Sequence, residues 1–139
     1  MFKRKTKARK IHRLNELQPM VASGRPVLIN FFQVGCAPCQ VMDGIVNELA
    51  QEYGETAHVV KADIGRVPGA IETYKIRSTP TTVLIARPPD KTSKRAQRKT
   101  QGTKNRTARP TQRWRASGLV KKDQLRRVLE SNGATRLEA

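Results

Sequence analysis

The run PVLINFF (residues 26–32) constrains the fold more than any other stretch. Asn30 is its only polar residue, so it reads as a strand covered on both faces, as in a sheet with helices on either side. AHVVKAD (57–63) and TTVLIA (81–86) read as two more interior strands. Between the first two the period changes. Over 39–53, Val41, Met42, Ile45, Val46, Leu49 and Tyr53 share one helical stripe, with Asp43, Asn47, Glu48 and Gln51 opposite. VPGAIETY (67–74) predicts a short helix with Pro68 at its start. RWRAS (113–117) alternates like a fourth strand, ended by Gly118. In 120–132, Leu125, Val128 and Leu129 fall on one helix face, with Gly133 as the C-cap. Ahead of all this, NELQ (15–18) has capping-box spacing. It predicts a short helix with Asn15 as N-cap, Gln18 at the third position and an end near Gly24. The order β-α-β-α-β-β-α, with a late antiparallel hairpin, places the chain in the α/β class.

Composition divides the chain sharply. Residues 15–86 hold 34 apolar residues, whereas residues 87–113 hold only Ala96 and Ala108. The second segment cannot offset its ordering entropy by burial, so it is expected to be flexible. Charge follows the same division. Of the net +17, residues 26–86 contribute −2, residues 1–25 contribute +7 and residues 87–118 contribute +10. The expected organisation is therefore a basic tail (1–14), a domain (15–133) interrupted by a basic hairpin insertion (87–113), and a C-terminal tail (134–139). Lysines and arginines in such segments can neutralise phosphates or acidic protein surfaces. The candidates are Lys3, Arg4, Lys5, Lys7, Arg9 and Lys10 in the tail, and Lys94, Arg95, Arg98, Lys99, Lys104 and Arg106 in the insertion. Neither segment has the interleaved aromatics that stack on single-stranded bases. Trp114, just beyond the insertion, reads as core more readily than as a stacking residue.

No apolar run is long enough to span a bilayer, and residues 1–14 contain no hydrophobic signal-peptide core. Those residues also lack the serines and amphipathic period of a transit peptide. The only two cysteines, Cys36 and Cys39, fit a reducing compartment, so a cytoplasmic monomer is expected.

The chemistry lies in CAPC (36–39), at the junction of the first strand and the long helix. Cys36 would sit at the helix N-terminus, where free N–H groups and the helix dipole favour a thiolate, the nucleophile in disulfide exchange. Cys39, one turn on, could attack the resulting mixed disulfide and release the product. Pro38 fits the first turn. Two other readings stand beside this one. A zinc site would need more ligands, and only His12 and His58 are available, without finger-like spacing. An inert buried pair is the other, and it leaves the placement directly after a buried strand unexplained.

VLINFFQVGCAPCQVM, the distant STPTT and the later ASGLV occur in the order and strand context of the thioredoxin family, which the chain resembles over residues 15–86 and 113–133. The resemblance implies a thioredoxin-like fold, a central mixed β-sheet flanked by helices. It implies a thiol-disulfide oxidoreductase that reduces protein disulfides, is recycled by a separate reductase and needs no cofactor beyond its own disulfide. By position, Cys36 would be the attacking and Cys39 the resolving cysteine. Pro80 would be a cis-proline beside them, and Ala37, Thr79, Gly118 and Leu119 would line a shallow substrate groove. Asn30 stands where the family usually has a buried aspartate. Lys61 matches the lysine that accompanies that aspartate and has lost this partner. Gly35 replaces a tryptophan of the docking surface, and Gly44 replaces a kinking proline. With the basic segments, these departures support an alternative: a nucleic-acid or ribonucleoprotein adaptor with weak redox activity.

Overall fold

The computed structural model describes residues 7–87 and 110–137. Within them the elements are β1 (Arg9–Ile11), a 3-10 turn (Leu14–Glu16), α1 (Leu17–Ala22), β2 (Val27–Phe32), α2 (Ala37–Tyr53), β3 (His58–Asp63), α3 (Ala70–Tyr74), β4 (Thr81–Ala86), β5 (Thr111–Ser117) and α4 (Lys122–Ser131). The strands form one sheet in the order β1-β3-β2-β4-β5. β1 and β2 run parallel to β3, while the β2–β4 and β4–β5 pairs are antiparallel, so the sheet is mixed.

Alternation along β2 builds the two layers. Val27, Ile29 and Phe31 pack with Val60, Ala62, Val83 and Ile85 beneath α1 and α3. Leu28, with Val59 and Leu84, faces Met42, Val46, Leu49 and Tyr53 of α2 and Leu125 and Leu129 of α4. The apolar runs lack a period of two because both faces of the sheet are covered. Glu52 fastens α2 to α4. Its Oε1 and Oε2 accept Arg126 Nε and Nη2, both at 3.1 Å, and Oε2 accepts Lys122 Nζ at 2.7 Å. Burial pushes this carboxyl up, but the hydrogen bonds and charges of Arg126 and Lys122 outweigh it and hold Glu52 below the usual carboxylate range.

The structure corrects the expected basic tail. Residues 9–11 are not tail but the edge strand β1, paired with β3 in the register Arg9↔Val60, Lys10↔Lys61 and Ile11↔Ala62. Ile11 is buried, and the Ala8 N–H donates to Asn47 Oδ1 at 2.9 Å. A strand this short carries too few residues to display a period. The next turn is also closed differently. Glu16 Oε2 accepts the His12 and Arg13 N–H groups at 2.7 and 3.0 Å. Asn15 therefore lies inside the 3-10 turn rather than capping it, and α1 starts at Leu17. α3 begins at Ala70, later than predicted, because Gly69 adopts φ +80° immediately before it.

β4 and β5 pair from Thr81↔Ser117 to Ala86↔Thr111, with a register shift between Leu84 and Ile85. Trp114 is partly buried against the α2 layer, as a core residue. Arg115 donates to the carbonyls of Tyr74 and Lys75, securing the C-terminus of α3. Of the insertion (87–113), residues 88–109 lie outside the described residues, and with them Lys94, Arg95, Arg98, Lys99, Lys104 and Arg106. Lys3, Arg4 and Lys5 lie outside as well. No helix among the described residues is long and apolar enough to cross a membrane.

Candidate active site

β2 ends at Phe32, and the chain turns through Gly35 at φ +85° to enter α2. A Cβ on Gly35 would touch nothing within 4 Å, so backbone conformation, not crowding, calls for glycine here. The sequence reading of Gly35 as a lost aromatic missed this requirement. Cys36 is the N-cap of α2, Ala37 opens the helix, and Pro38 lies in its first turn, where it forfeits no helical hydrogen bond.

Cys36 and Cys39 are joined in a disulfide, with their Cα atoms 5.2 Å apart. The Cys39 N–H donates to Cys36 Sγ at 3.2 Å, so one free donor of the helix start points at the sulfur. Cys36 is half-buried, whereas Cys39 is only 4% exposed. The outer sulfur is thus open to attack and the inner one shielded. Across from them, Thr79 Oγ1 lies 3.6 Å and Thr79 O 3.7 Å from Cys36 Sγ. The Thr79-Pro80 peptide is cis, as the motif implied. Pro80 O accepts the Gly118 N–H at 2.7 Å, Gly118 turns with φ +87°, and the next residue, Leu119, is 61% exposed. Cys36, Cys39, Thr79, Pro80, Gly118 and Leu119, separated widely in sequence, therefore converge.

The family model described as Thioredoxin matches residues 10–108. The chain belongs to the thioredoxin family. Thioredoxin 1 of Synechococcus elongatus is 36% identical over 68 residues, covering 49% of this chain and 64% of that protein. A chloroplastic thioredoxin of Arabidopsis thaliana is 37% identical over 66 residues, covering 48% of this chain and 38% of that protein. The chain thus spans less than two thirds of the length of either relative. A solved mutant thioredoxin from Halobacterium salinarum superposes with TM-score 0.68 at 24% identity, each chain covered in full. A thioredoxin of Malassezia sympodialis gives the same score at 14% identity, covering 95% of this chain and 96% of that one. At these identities the two structures establish the thioredoxin fold alone.

In β2, the strand that leads to the thioredoxin disulfide, Asn30 is buried at 1% exposure. Its Nδ2 donates to Thr82 Oγ1 at 3.2 Å, and its Oδ1 finds no partner among the described residues. An amide here holds its place by one hydrogen bond and takes up no proton at neutral pH. Lys61, the register partner of Asn30 on β3, is not without a charge partner, contrary to expectation. Its Nζ contacts Asp43 Oδ1 at 2.8 Å and Asn47 Oδ1 at 3.3 Å. The sequence did offer a signal: Asp43 and Asn47 are four apart, hence neighbours on one face of α2. Gly44 sits mid-helix, and an added Cβ there would meet open space, so no close approach explains the glycine.

Among the described residues of the expected tail, Arg9 and Lys10 occupy set places in β1. Arg9 Nη2 pairs with Glu16 Oε1 at 2.9 Å, and Lys10 Nζ stands 5.9 Å from the Phe32 ring centroid. Lys7 and Lys10 line a cavity of about 540 Å³ that also includes Phe32, Cys36, Cys39 and Lys61. Among the described residues no group of three or more His, Cys, Asp or Glu could hold a metal ion.

Proposed function

We propose that the chain is a thiol-disulfide oxidoreductase that reduces protein disulfides through Cys36 and Cys39. A separate reductase returns the pair to the dithiol, and the pair needs no added cofactor, acting as a cytoplasmic monomer. The observation that carries this reading is the asymmetry of the pair: a half-buried Cys36 at the start of α2, hydrogen-bonded by the Cys39 N–H, and a buried Cys39 one turn on. The thiolate of Cys36 attacks a substrate sulfur and forms a mixed disulfide. Cys39 then attacks Cys36, and the substrate leaves as a dithiol. Insulin reduction driven by dithiothreitol is expected to accelerate with the wild-type chain and to stay at background with Cys36→Ser. Equal rates for the two proteins would defeat the proposal.

The charge partition supports a second element of the reading. The basic segments ahead of β1 and between β4 and β5, residues 1–6 and 88–109, contact an anionic partner, for which nucleic acid is the simplest candidate. Residues 87–118 carry +10 beside a stretch, residues 26–86, that carries −2. Binding of an RNA or DNA oligonucleotide should weaken steeply with added salt and disappear when both segments are deleted. Affinity that survives both deletions would exclude the segments as the contact. Strong binding together with background insulin turnover would favour the adaptor reading instead.

A further inference from the structure

Beside the disulfide lies the cavity bounded by β1, the turn after β2 and the outer face of α2. Its volume of about 540 Å³ falls in the range of small-molecule sites, about 300–1,000 Å³. Both sulfur-bearing residues form part of its wall, together with Lys7, Lys10 and Lys61. Asp43 is the only acid in the lining among the described residues, and Lys61 Nζ contacts it at 2.8 Å. The charges of Lys7 and Lys10 are then uncompensated, since neither meets a carboxylate among the described residues.

Two features make this more than a scatter of surface lysines. Lys10 and Lys61 are register partners on adjacent parallel strands and so share one face of the sheet. Asp43 on that side is already paired with Lys61, which leaves Lys10 without a carboxylate among the described residues. Lys10 is also held in place. β1 is paired to β3, the Ala8 N–H is fixed on Asn47, and the Lys10 ammonium stands over Phe32. A cationic recess with a reactive disulfide in its wall is matched by a disulfide that carries its own carboxylates.

We infer that Lys7 and Lys10 form a carboxylate subsite that selects, for exchange at Cys36, disulfides flanked by acidic groups. This rests on the oxidoreductase reading and names its substrate class. The Cys36 thiolate attacks one sulfur of RS–SR, forming Cys36–S–SR and releasing one RS⁻. Cys39, having given up its proton, attacks Cys36 and releases the second RS⁻. Two electrons pass from the dithiol to the substrate, and the two thiol protons end on the released thiols. The carboxylates of R rest against Lys7 and Lys10 during the first attack.

The test measures second-order rate constants for oxidation of the reduced chain by three small disulfides. These are oxidised glutathione (net negative), cystamine (cationic) and hydroxyethyl disulfide (neutral, the common reference). After correction for each disulfide's intrinsic reactivity with dithiothreitol, glutathione should exceed cystamine by about tenfold at low salt, the lower end of electrostatic rate effects. The ratio should fall towards one in 0.5–1 M salt (roughly a Debye length of 3–4 Å) and in Lys7→Gln/Lys10→Gln. A second arm uses peptides with one disulfide flanked by Glu or by Lys. A preference seen only with glutathione assigns the site to small acids, and one seen with the peptides assigns it to acidic protein segments. Either supports the subsite. A corrected ratio within twofold of one, or one unmoved by salt, overturns the subsite while leaving the oxidoreductase reading intact. No reaction with any disulfide overturns both. The net charge of +17 alone gives a salt-dependent preference. The deciding arm is therefore Lys7→Gln/Lys10→Gln, its fold checked by urea denaturation, whose ratio must fall by more than that of a variant with two lysines neutralised in 88–109.

Discussion

Replacing Cys39 with serine is expected to leave the first exchange running and to stop the second. The two steps draw on different atoms. Cys36 Sγ is supported by the Cys39 backbone N–H at 3.2 Å and by Thr79 Oγ1 at 3.6 Å. Neither donor is the Cys39 thiol, so Cys39→Ser keeps both, and Cys36 remains a favoured thiolate at the start of α2. What the variant loses is an intramolecular attacker one helical turn away. Well-oriented intramolecular reactions reach effective molarities of about 10⁵–10⁸ M. Millimolar external thiol cannot replace that, and release of product should slow by at least about a hundredfold. Mass spectrometry of the variant after mixing with a protein disulfide should show a stable adduct, absent in Cys36→Ser. Rapid release from Cys39→Ser would mean that some other group resolves the intermediate.

The parts of this arrangement that were legible in the sequence are those whose signal is local. PVLINFF announced a strand buried on both faces, and C-x-x-C at its end placed two sulfurs one turn apart. The Thr79-Pro80 and Gly118-Leu119 segments were placed by resemblance and not by any local pattern. Residues 78–82 and 117–119 would otherwise read as ordinary turns. β1 was invisible because three residues cannot show a period. Its burial depends on Ile11 finding the edge of β3, a contact about 50 residues away in the chain. The Lys61–Asp43 pair was only half legible: the spacing of Asp43 and Asn47 marks a polar face of α2, but nothing in sequence says which strand residue that face will cross. Gly35 shows the opposite error. Its type was noted, but the reason lay in a φ of +85° that no composition reveals. Cavity-lining Lys7 and Lys10 were counted with a basic tail for the same lack of tertiary information.

The largest loss of stability from a single truncation is expected at Leu84→Ala. Leu84 is fully buried in β4, with Leu28 of β2 opposite on one side and Trp114 of β5 on the other. It belongs to the layer that Met42, Val46 and Leu49 of α2 cover, so the removed atoms leave a space walled by both sheet and helix. Strands held by neighbours on each side cannot collapse into that space, and the cost therefore includes the cavity as well as lost transfer energy, about 3–4 kcal/mol together. Against a typical total of about 5–15 kcal/mol this is a severe change. Urea denaturation of the disulfide form, followed by Trp114 fluorescence, should show a lower midpoint with an unchanged slope. Val41→Ala offers the contrast. Val41 lies on α2 as well but is 54% exposed, and its truncation should move the midpoint by about 0.5 kcal/mol or less. A loss below about 1 kcal/mol at Leu84 would mean that the sheet and α2 relax into the gap. In that case the rigid platform that sets Cys36 against Thr79 would be softer than its packing indicates.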